Sequence, residues 1–428
     1  MLESFIIFVK SFQYVENFFE VLMKVFSMEE TFEIIKRPIY MDRLLPYVGK
    51  NIIKVLTGQR RVGKSYILKS VVQHIRETDL TANIIAIDLE DFAFSHITDA
   101  KSLHDEITGR IKEGCRNYIL IDEVQEVEDF DKVIRSLNLN PSNDIYVTGS
   151  NSKMLSSEIS TKLAGRRIEV QVHPLSYPEF LNFHKIDDSD VAMNEYLRYG
   201  GLPYLVNLPL RSTWNEYISG VTDAVVYRDI VSRHSLRNND FLQRLLLFMA
   251  DNIGQLFTAK KIADYLKSQR VSSSVGSVMA YAGYIEEAFI VNKSRRWEIE
   301  GKRFFEIGEK YFFEDLGIRN SIVGFRPHDI SGLMENAVYN HLRISGYEVK
   351  TGIMAGGREI DFVAEKDGEI IYVQVAMTVA DKATADREYG NLAMISDNYE
   401  KIVVTYRDSF PNTVDGIKTM SLREFLNK

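Results

Sequence analysis

The chain is 428 residues long, which at roughly 150 residues per domain suggests about two to four domains and excludes a miniature scaffold. Hydrophobic residues make up 45% and charged residues 26%, with 25 glycines and 9 prolines, so neither a disordered nor a fibrous composition dominates. The net charge of −8 leaves nucleic acid or anionic lipid only local basic patches to bind, and the single Cys115 excludes an internal disulfide or a Cys-rich zinc site, which suits a reducing, cytoplasmic setting.

Residues 1–27 are strongly apolar, but Glu3, Lys10, Glu16, Glu20 and Lys24 leave no uncharged run near the ~20 residues a bilayer span needs. No membrane span is expected. Phe5, Phe8, Phe12, Phe19, Leu22 and Phe26 recur at near-helical spacing, as in an amphipathic helix that packs on the body or on a partner. The alternative is a misassigned start, with translation beginning at Met28.

From Asn51 the pattern changes to short β-rich runs separated by helical stretches: Ile52 to Thr57, Ile84 to Leu89, Tyr118 to Ile121, Ile145 to Thr148 and Ile168 to Val172. Most are continuous apolar runs, as strands covered on both faces should be, so residues 28–186 are expected to form an α/β domain with a parallel sheet. Asp187 to Asp190 is a charged break, and 187–239 is expected to be a helical linker or lid with a turn at Gly200, Gly201 and Pro203. Residues 240–325 read as helix, helix, helix, hairpin, with Thr258 a candidate N-cap and Ser272 to Ser274 starting the third helix. That order resembles a winged helix. Residues 326–428 return to α/β, with a helix near Glu335 to Ser345 and strands Glu359 to Ala364 and Ile370 to Val375 joined across Lys366, Asp367 and Gly368.

The sharpest motif is Gly58, Gln59, Arg60, Arg61, Val62, Gly63, Lys64, Ser65, directly after the first strand. GxxxxGK[ST] in that position is a phosphate-binding loop: backbone N–H groups wrap the phosphates, glycines allow the close approach, Lys64 reaches the β and γ phosphates, and Ser65 offers a hydroxyl to Mg²⁺. Tyr118 to Ile121 then delivers Asp122 and Glu123 in a Walker B pattern, Asp122 to anchor the metal and Glu123 to polarise an attacking water. An acidic helix cap is the duller reading of the pair. The next strand ends at Thr148, Gly149, Ser150, Asn151, where Ser150 or Asn151 can sense the γ-phosphate or simply cap a helix. Arg166 in Gly165, Arg166, Arg167 is a candidate for stabilising transition-state charge, in its own subunit or a neighbour's, against the alternative of a surface ion pair.

Five strands, with one between the phosphate-loop strand and the Asp122-Glu123 strand, resemble the additional-strand, catalytic-glutamate division of P-loop NTPases, and AAA-type ATPases within it. GQRRVGKS, ILIDEVQ, TGSNSKML, LAGRR and PLSYPEF, all between Gly58 and Phe180, are similar to motifs of a bacterial and archaeal subgroup. Its members append a winged helix and a restriction-endonuclease-like domain, so the resemblance covers nearly everything after about residue 28. It implies ATP and Mg²⁺ as ligands and leaves the biological purpose open.

The C-terminal region resembles the PD-(D/E)xK fold through Glu335, Asp361 and the strand Ile370 to Val375. Active members need a second carboxylate and a lysine where this chain has Gln374, Val375, Ala376, so the site is expected to be a degenerate one kept for interaction, unless a displaced lysine such as Lys350 or Lys382 serves. Between Lys260 and Arg303 there are nine basic against five acidic residues, and Arg295, Arg296 and Trp297 can form a wing that grips DNA phosphates. Protein docking is the other use of such a module. The expectation is an ATP- and Mg²⁺-dependent ATPase acting as a switch or remodeller. It can assemble as an oligomer, with DNA a candidate partner through the winged helix and a protein through the C-terminal domain. The alternatives are an ATP-gated DNA-binding protein or nuclease effector, and an ATP-binding scaffold that does not hydrolyse.

Overall fold

Five of the expected elements come together as one parallel sheet in the computed structural model, which describes residues 35–152, 165–301, 303–407 and 413–428. The 1–27 extension, Lys302 and residues 153–164 of the quoted motifs lie outside the described residues. Strands β1 (Ile53–Thr57), β2 (Asn83–Asp88), β3 (Asn117–Asp122), β4 (Asn143–Gly149) and β5 (Arg167–Gln171) run in the order β2-β3-β4-β1-β5. The central strands β1, β3 and β4 are buried along their whole length because helices cover both faces.

Alternation along the strands builds two layers. Ile53, Val55, Ile119, Ile121, Ile145 and Val147 pack with the helices Ala100–Thr108 and Phe130–Leu137, while Leu56, Leu120, Tyr146 and Val170 pack on the helix Lys64–Thr78. Each buried aliphatic side chain contributes roughly 2 kcal/mol, and a one-residue slip of β1 would exchange the two sets, so the register is firmly set. The loops after β1, β3 and β4 all leave C-terminal strand ends, where open α/β sheets bind ligands.

Helices Asp190–Tyr199 and Ser212–Ala224 follow, the second running on into a π-helical stretch, Val225–Ser232. Next come helix Asn239–Asp251, the short strand β6 (Leu256–Phe257), helices Ala259–Ser268 and Val275–Glu287, and the hairpin β7 (Val291–Glu298) and β8 (Arg303–Phe313). Ser274 caps its helix by accepting the Ser277 N–H, whereas Thr258 occupies the N-cap position without a side-chain bond.

The expected boundary between 325 and 326 does not separate two sheets. The hairpin continues into the C-terminal strands β9 (Glu348–Ile353), β10 (Glu359–Lys366), β11 (Glu369–Ala376), β12 (Glu400–Thr405), β13 (Thr413–Val414) and β14 (Ile417–Ser421). Together they form a nine-stranded sheet in the order β13-β14-β12-β11-β10-β9-β7-β8-β6. The join is a parallel pairing of β7 with β9, Arg296 opposite Thr351 and Trp297 opposite Gly352. Arg295, Arg296 and Trp297 therefore form no projecting wing: Trp297 and Ile299 pack against the core of Met354, Ile360, Val363 and Tyr372, and that apolar burial outweighs exposing an indole to hold phosphate. The β10–β11 turn is the expected one, with Asp367 (φ +52) and Gly368 (φ +85) both left-handed.

Candidate nucleotide site

Gly58 leaves β1 at φ +142, and a Cβ there would stand 2.1 Å from the Val172 carbonyl oxygen, so the chain passes the end of β5 this closely only as glycine. Gly63 (φ +100) opens the helix Lys64–Thr78 from a left-handed N-cap. Between them Val62 is buried in the core, Arg61 is exposed at φ +68, and Gln59 is buried with neither amide atom hydrogen-bonded. Lys64 is buried at the helix start, its Nζ donating to the carbonyls of Gly58 at 3.0 Å and Gln59 at 3.1 Å and lying 3.4 Å from Glu123 Oε1. Ser65 is half-buried beside it in the first turn.

Asp122 ends β3, and Glu123 follows with left-handed backbone, φ +53 and ψ +47. Such a conformation in a non-glycine residue persists only where the surroundings enforce it. Here the Glu123 N–H donates to Thr148 Oγ1 at 2.9 Å, and the Thr148 hydroxyl in turn donates to Asp122. The Gln125 amide donates to the Glu123 carboxylate and, at 3.2 Å, to Ser150 Oγ. Burial works to raise the Glu123 carboxyl, but Lys64, the Gln125 amide and Arg60 together hold it below its ordinary value, so it is an anion ready to accept a proton.

Arg60 points away from the loop. Its Nε donates to Asp229 at 2.7 Å, one Nη donates to Glu90 at 2.6 Å, and the other lies 3.8 Å from Glu126. Asp229 sits buried in the π-helical stretch Val225–Ser232, with Arg233 3.5 Å away. Burial, opposed by Arg60, raises the Asp229 carboxyl. π-Helical insertions concentrate at functional positions, and this one ties the phosphate-loop arginine to the helical segment after the sheet.

The structure thus gathers Gly58, Gln59, Arg60, Val62, Gly63, Lys64, Asp122, Glu123 and Ser150 at one edge of the sheet, with Ser65 and Arg61 on the same loop and Asn151 buried at the end of β4. It does not bring Arg166 there. Arg166 precedes the N-terminal end of β5, its carbonyl accepting the Ile53 N–H at 2.8 Å, so it lies at the opposite end of the parallel β1–β5 pair from the loop. Its side chain is exposed. The reading of Arg166 as a transition-state residue in its own subunit is corrected on that ground, the strand length being too great for its reach. Thr148, Gln125 and Asp229 were missed. Thr148 lay inside TGSN but read as a strand residue, and an isolated acid in a helical stretch gave Asp229 no signal.

In the C-terminal region Glu335, Asp361 and Gln374 do meet. The Asp361 N–H donates to Gln374 Oε1 at 3.2 Å, and Asp361 Oδ2 accepts the Val375 N–H at 2.8 Å. Neither expected lysine is there: Lys350 pairs with Glu365 at 3.0 Å, and Lys382 is exposed at the start of its helix. Lys310 of β8 occupies that place, 3.6 Å from Glu335 and 3.8 Å from Asp361. Among the described residues, no group of three or more His, Cys, Asp or Glu side chains could hold a metal ion.

A buried parallel sheet carrying a phosphate loop at the C-terminal end of β1 and an acidic pair at that of β3, with β4 between them, defines a P-loop NTPase fold. The AAA domain family model matches residues 50–181, and a model of a domain of unknown function, DUF8612, matches 191–329. The chain is 34% identical over 401 residues to an uncharacterized protein of Haemophilus influenzae, covering 92% of this chain and 98% of that one. It is 27% identical over 414 residues to an uncharacterized protein of Methanocaldococcus jannaschii, covering 91% and 89%. The chain belongs to the family of the Haemophilus influenzae protein. Among solved structures it is similar to the Aeropyrum pernix ORC1 protein in complex with DNA (11% identity, TM-score 0.35, 68% of this chain and 94% of that chain). It is also similar to AMPPCP-bound DnaA from Aquifex aeolicus (13%, TM-score 0.29, 58% and 86%). No helix among the described residues is long and apolar enough to cross a membrane.

Proposed function

We propose that this protein binds and hydrolyses ATP with Mg²⁺ and uses the cycle as a switch. The observation that carries the reading is the Lys64 ammonium held between two phosphate-loop carbonyls and 3.4 Å from Glu123. The orphaned amide of buried Gln59 and the glycine cradle at Gly58 fit an anionic ligand. Lys64 trades its carbonyl partners for β- and γ-phosphate oxygens, and loop N–H groups hold the remainder. Ser65 and Asp122 would hold Mg²⁺, whose chemistry there is neutralisation of phosphate charge. Glu123 accepts the proton of the attacking water, with Gln125 and Thr148 setting its position. Ser150, bonded to Gln125, or Asn151, buried next to it in the chain, reports the γ-phosphate.

Arg60 links the loop to Asp229, so displacement of the loop by phosphate pulls on the helical segment that leads to the 239–313 region. That region, with its helix, strand, two helices and hairpin, is read as a winged helix, and the strands after it as a restriction-endonuclease-like domain. Protein docking is favoured over DNA for the winged helix, because its third helix, Val275–Glu287, carries no lysine or arginine. The test is ATP turnover with mant-ATP binding. Lys64→Ala abolishes binding, whereas Glu123→Gln keeps binding and stops turnover. Equal turnover in wild type and Glu123→Gln sinks the proposal.

A further inference from the structure

The carboxylates of Glu335, Glu359 and Asp361 surround Lys310, which is 4% exposed. Its Nζ lies 3.6 Å from Glu335 Oε2 and 3.8 Å from Asp361 Oδ1, and donates to Glu359. Lys310 belongs to the hairpin strand β8, whereas Glu359 and Asp361 belong to β10, two intervening strands away in the sheet. A β-bulge makes the meeting possible. From Ile360 to Val363 strand β10 advances three residues while its partner β9 advances two, from Gly352 to Lys350. The extra residue turns both Asp361 and Phe362 toward β8, so that Phe362 packs 5.5 Å from Phe312 while Asp361 faces Lys310.

We propose that Lys310 is the resident cation of this carboxylate cluster: its ammonium balances the acids, and it fastens the β8 hairpin to the C-terminal strands. The lysine absent from position 376 is thus not merely lost. Its charge returns from another part of the chain, in a place where it neutralises the acids. Three carboxylates converging with no cation would be strongly destabilised by mutual repulsion and desolvation. One ammonium, hydrogen-bonded and paired, relieves enough of this for the joint to close. This inference does not rest on nucleotide binding and fails or stands separately from it.

The test is amide hydrogen exchange on the full chain, reading β8 and the helix Ile330–Ile344. Lys310→Met speeds exchange there by at least about tenfold, the signature of a joint that opens more often. Adding Glu335→Gln and Asp361→Asn to Lys310→Met recovers most of the protection, because the two more deeply buried charges left unpaired are then gone and the remaining one, on the more exposed Glu359, is held by water. Unchanged exchange in Lys310→Met, or no recovery in the triple variant, overturns the proposal. If Lys310→Met alone does not fold, a folded triple variant supports the proposal and an unfolded one overturns it. A Mn²⁺ titration of nucleotide-free wild type, followed by electron paramagnetic resonance, gives an independent check. A stoichiometric bound ion that Asp361→Asn removes would show that the cluster takes a metal beside the lysine and would overturn it.

Discussion

Thr148→Val isolates the role of a single hydroxyl. Thr148 is fully buried in β4, and valine matches its shape, so the packing of the sheet is kept. The substitution removes the acceptor of the Glu123 N–H at 2.9 Å and the donor to Asp122, leaving two polar groups that are each less than 10% exposed without their partners. At roughly 1–3 kcal/mol per unsatisfied buried group, partly relieved by water at the site's edge, stability falls by roughly 2–4 kcal/mol. The larger effect is on turnover. Glu123 keeps its left-handed backbone only while its N–H is held, and a shift of ~1 Å in a catalytic group costs up to ~100-fold. We expect kcat to fall roughly 10- to 100-fold while nucleotide affinity stays within about threefold, since the phosphate loop is untouched. Thr148→Ser, which keeps the hydroxyl, restores most of the rate. A coupled phosphate-release assay at saturating ATP, with mant-ATP titration for affinity, measures both. Wild-type kcat in Thr148→Val, or a loss carried entirely by affinity, would refute the reasoning.

Gly58→Ala drives a Cβ to 2.1 Å from the Val172 carbonyl at φ +142, so the loop cannot keep its path. Nucleotide affinity should drop at least about tenfold by calorimetry. Arg166→Ala should leave the turnover of protein verified as monomeric by sedimentation within about twofold, because Arg166 lies at the far end of the β1–β5 pair; a hundredfold loss in the monomer would contradict that placement. His184 lies between Phe180 and Trp214, with ring centroids 4.5 and 4.9 Å away, and burial, aided by Arg211, pushes it down to about 4. The unfolded chain therefore binds the extra proton first, so His184 stabilises the fold fully above about pH 6.5, and that contribution is lost as pH falls toward 4. The loss is up to about 3 kcal/mol, less the share screened at the ring's wet edge. Urea unfolding at pH 7 and pH 4.5 should show it, and an equally steep pH dependence in His184→Phe would exclude His184 as its source.

Why one half of this molecule was legible and the other less so follows from the range of the forces involved. The first sheet announces itself because β1, β3 and β4 are buried on both faces and must be apolar throughout, and the phosphate loop because close backbone approach admits only glycine at position 58. Both constraints act within a few residues of the motif that reports them. Thr148 and Asp229 act over a longer range: their meaning comes from partners 25 and 169 residues away, and neither residue type is unusual where it stands. Arg166 was misplaced for a related reason. In a parallel sheet, residues at the two ends of a strand belong to opposite edges, so nearness in sequence to a catalytic-looking run carries no information about which edge a residue joins. The hairpin β7–β8 shows the same limit at the scale of domains. Its pattern looked like a free wing because alternation in two strands does not say whether a third will pair with them, and it is Trp297, an aromatic needing cover, that hinted at the parallel join to β9. Lys310 shows the same contrast: a motif reading asks for a residue at a spacing, whereas electrostatics asks only for a charge at a place, and Lys310 reaches Glu335 and Asp361 from β8, with β7 and β9 standing between it and β10 in the same sheet.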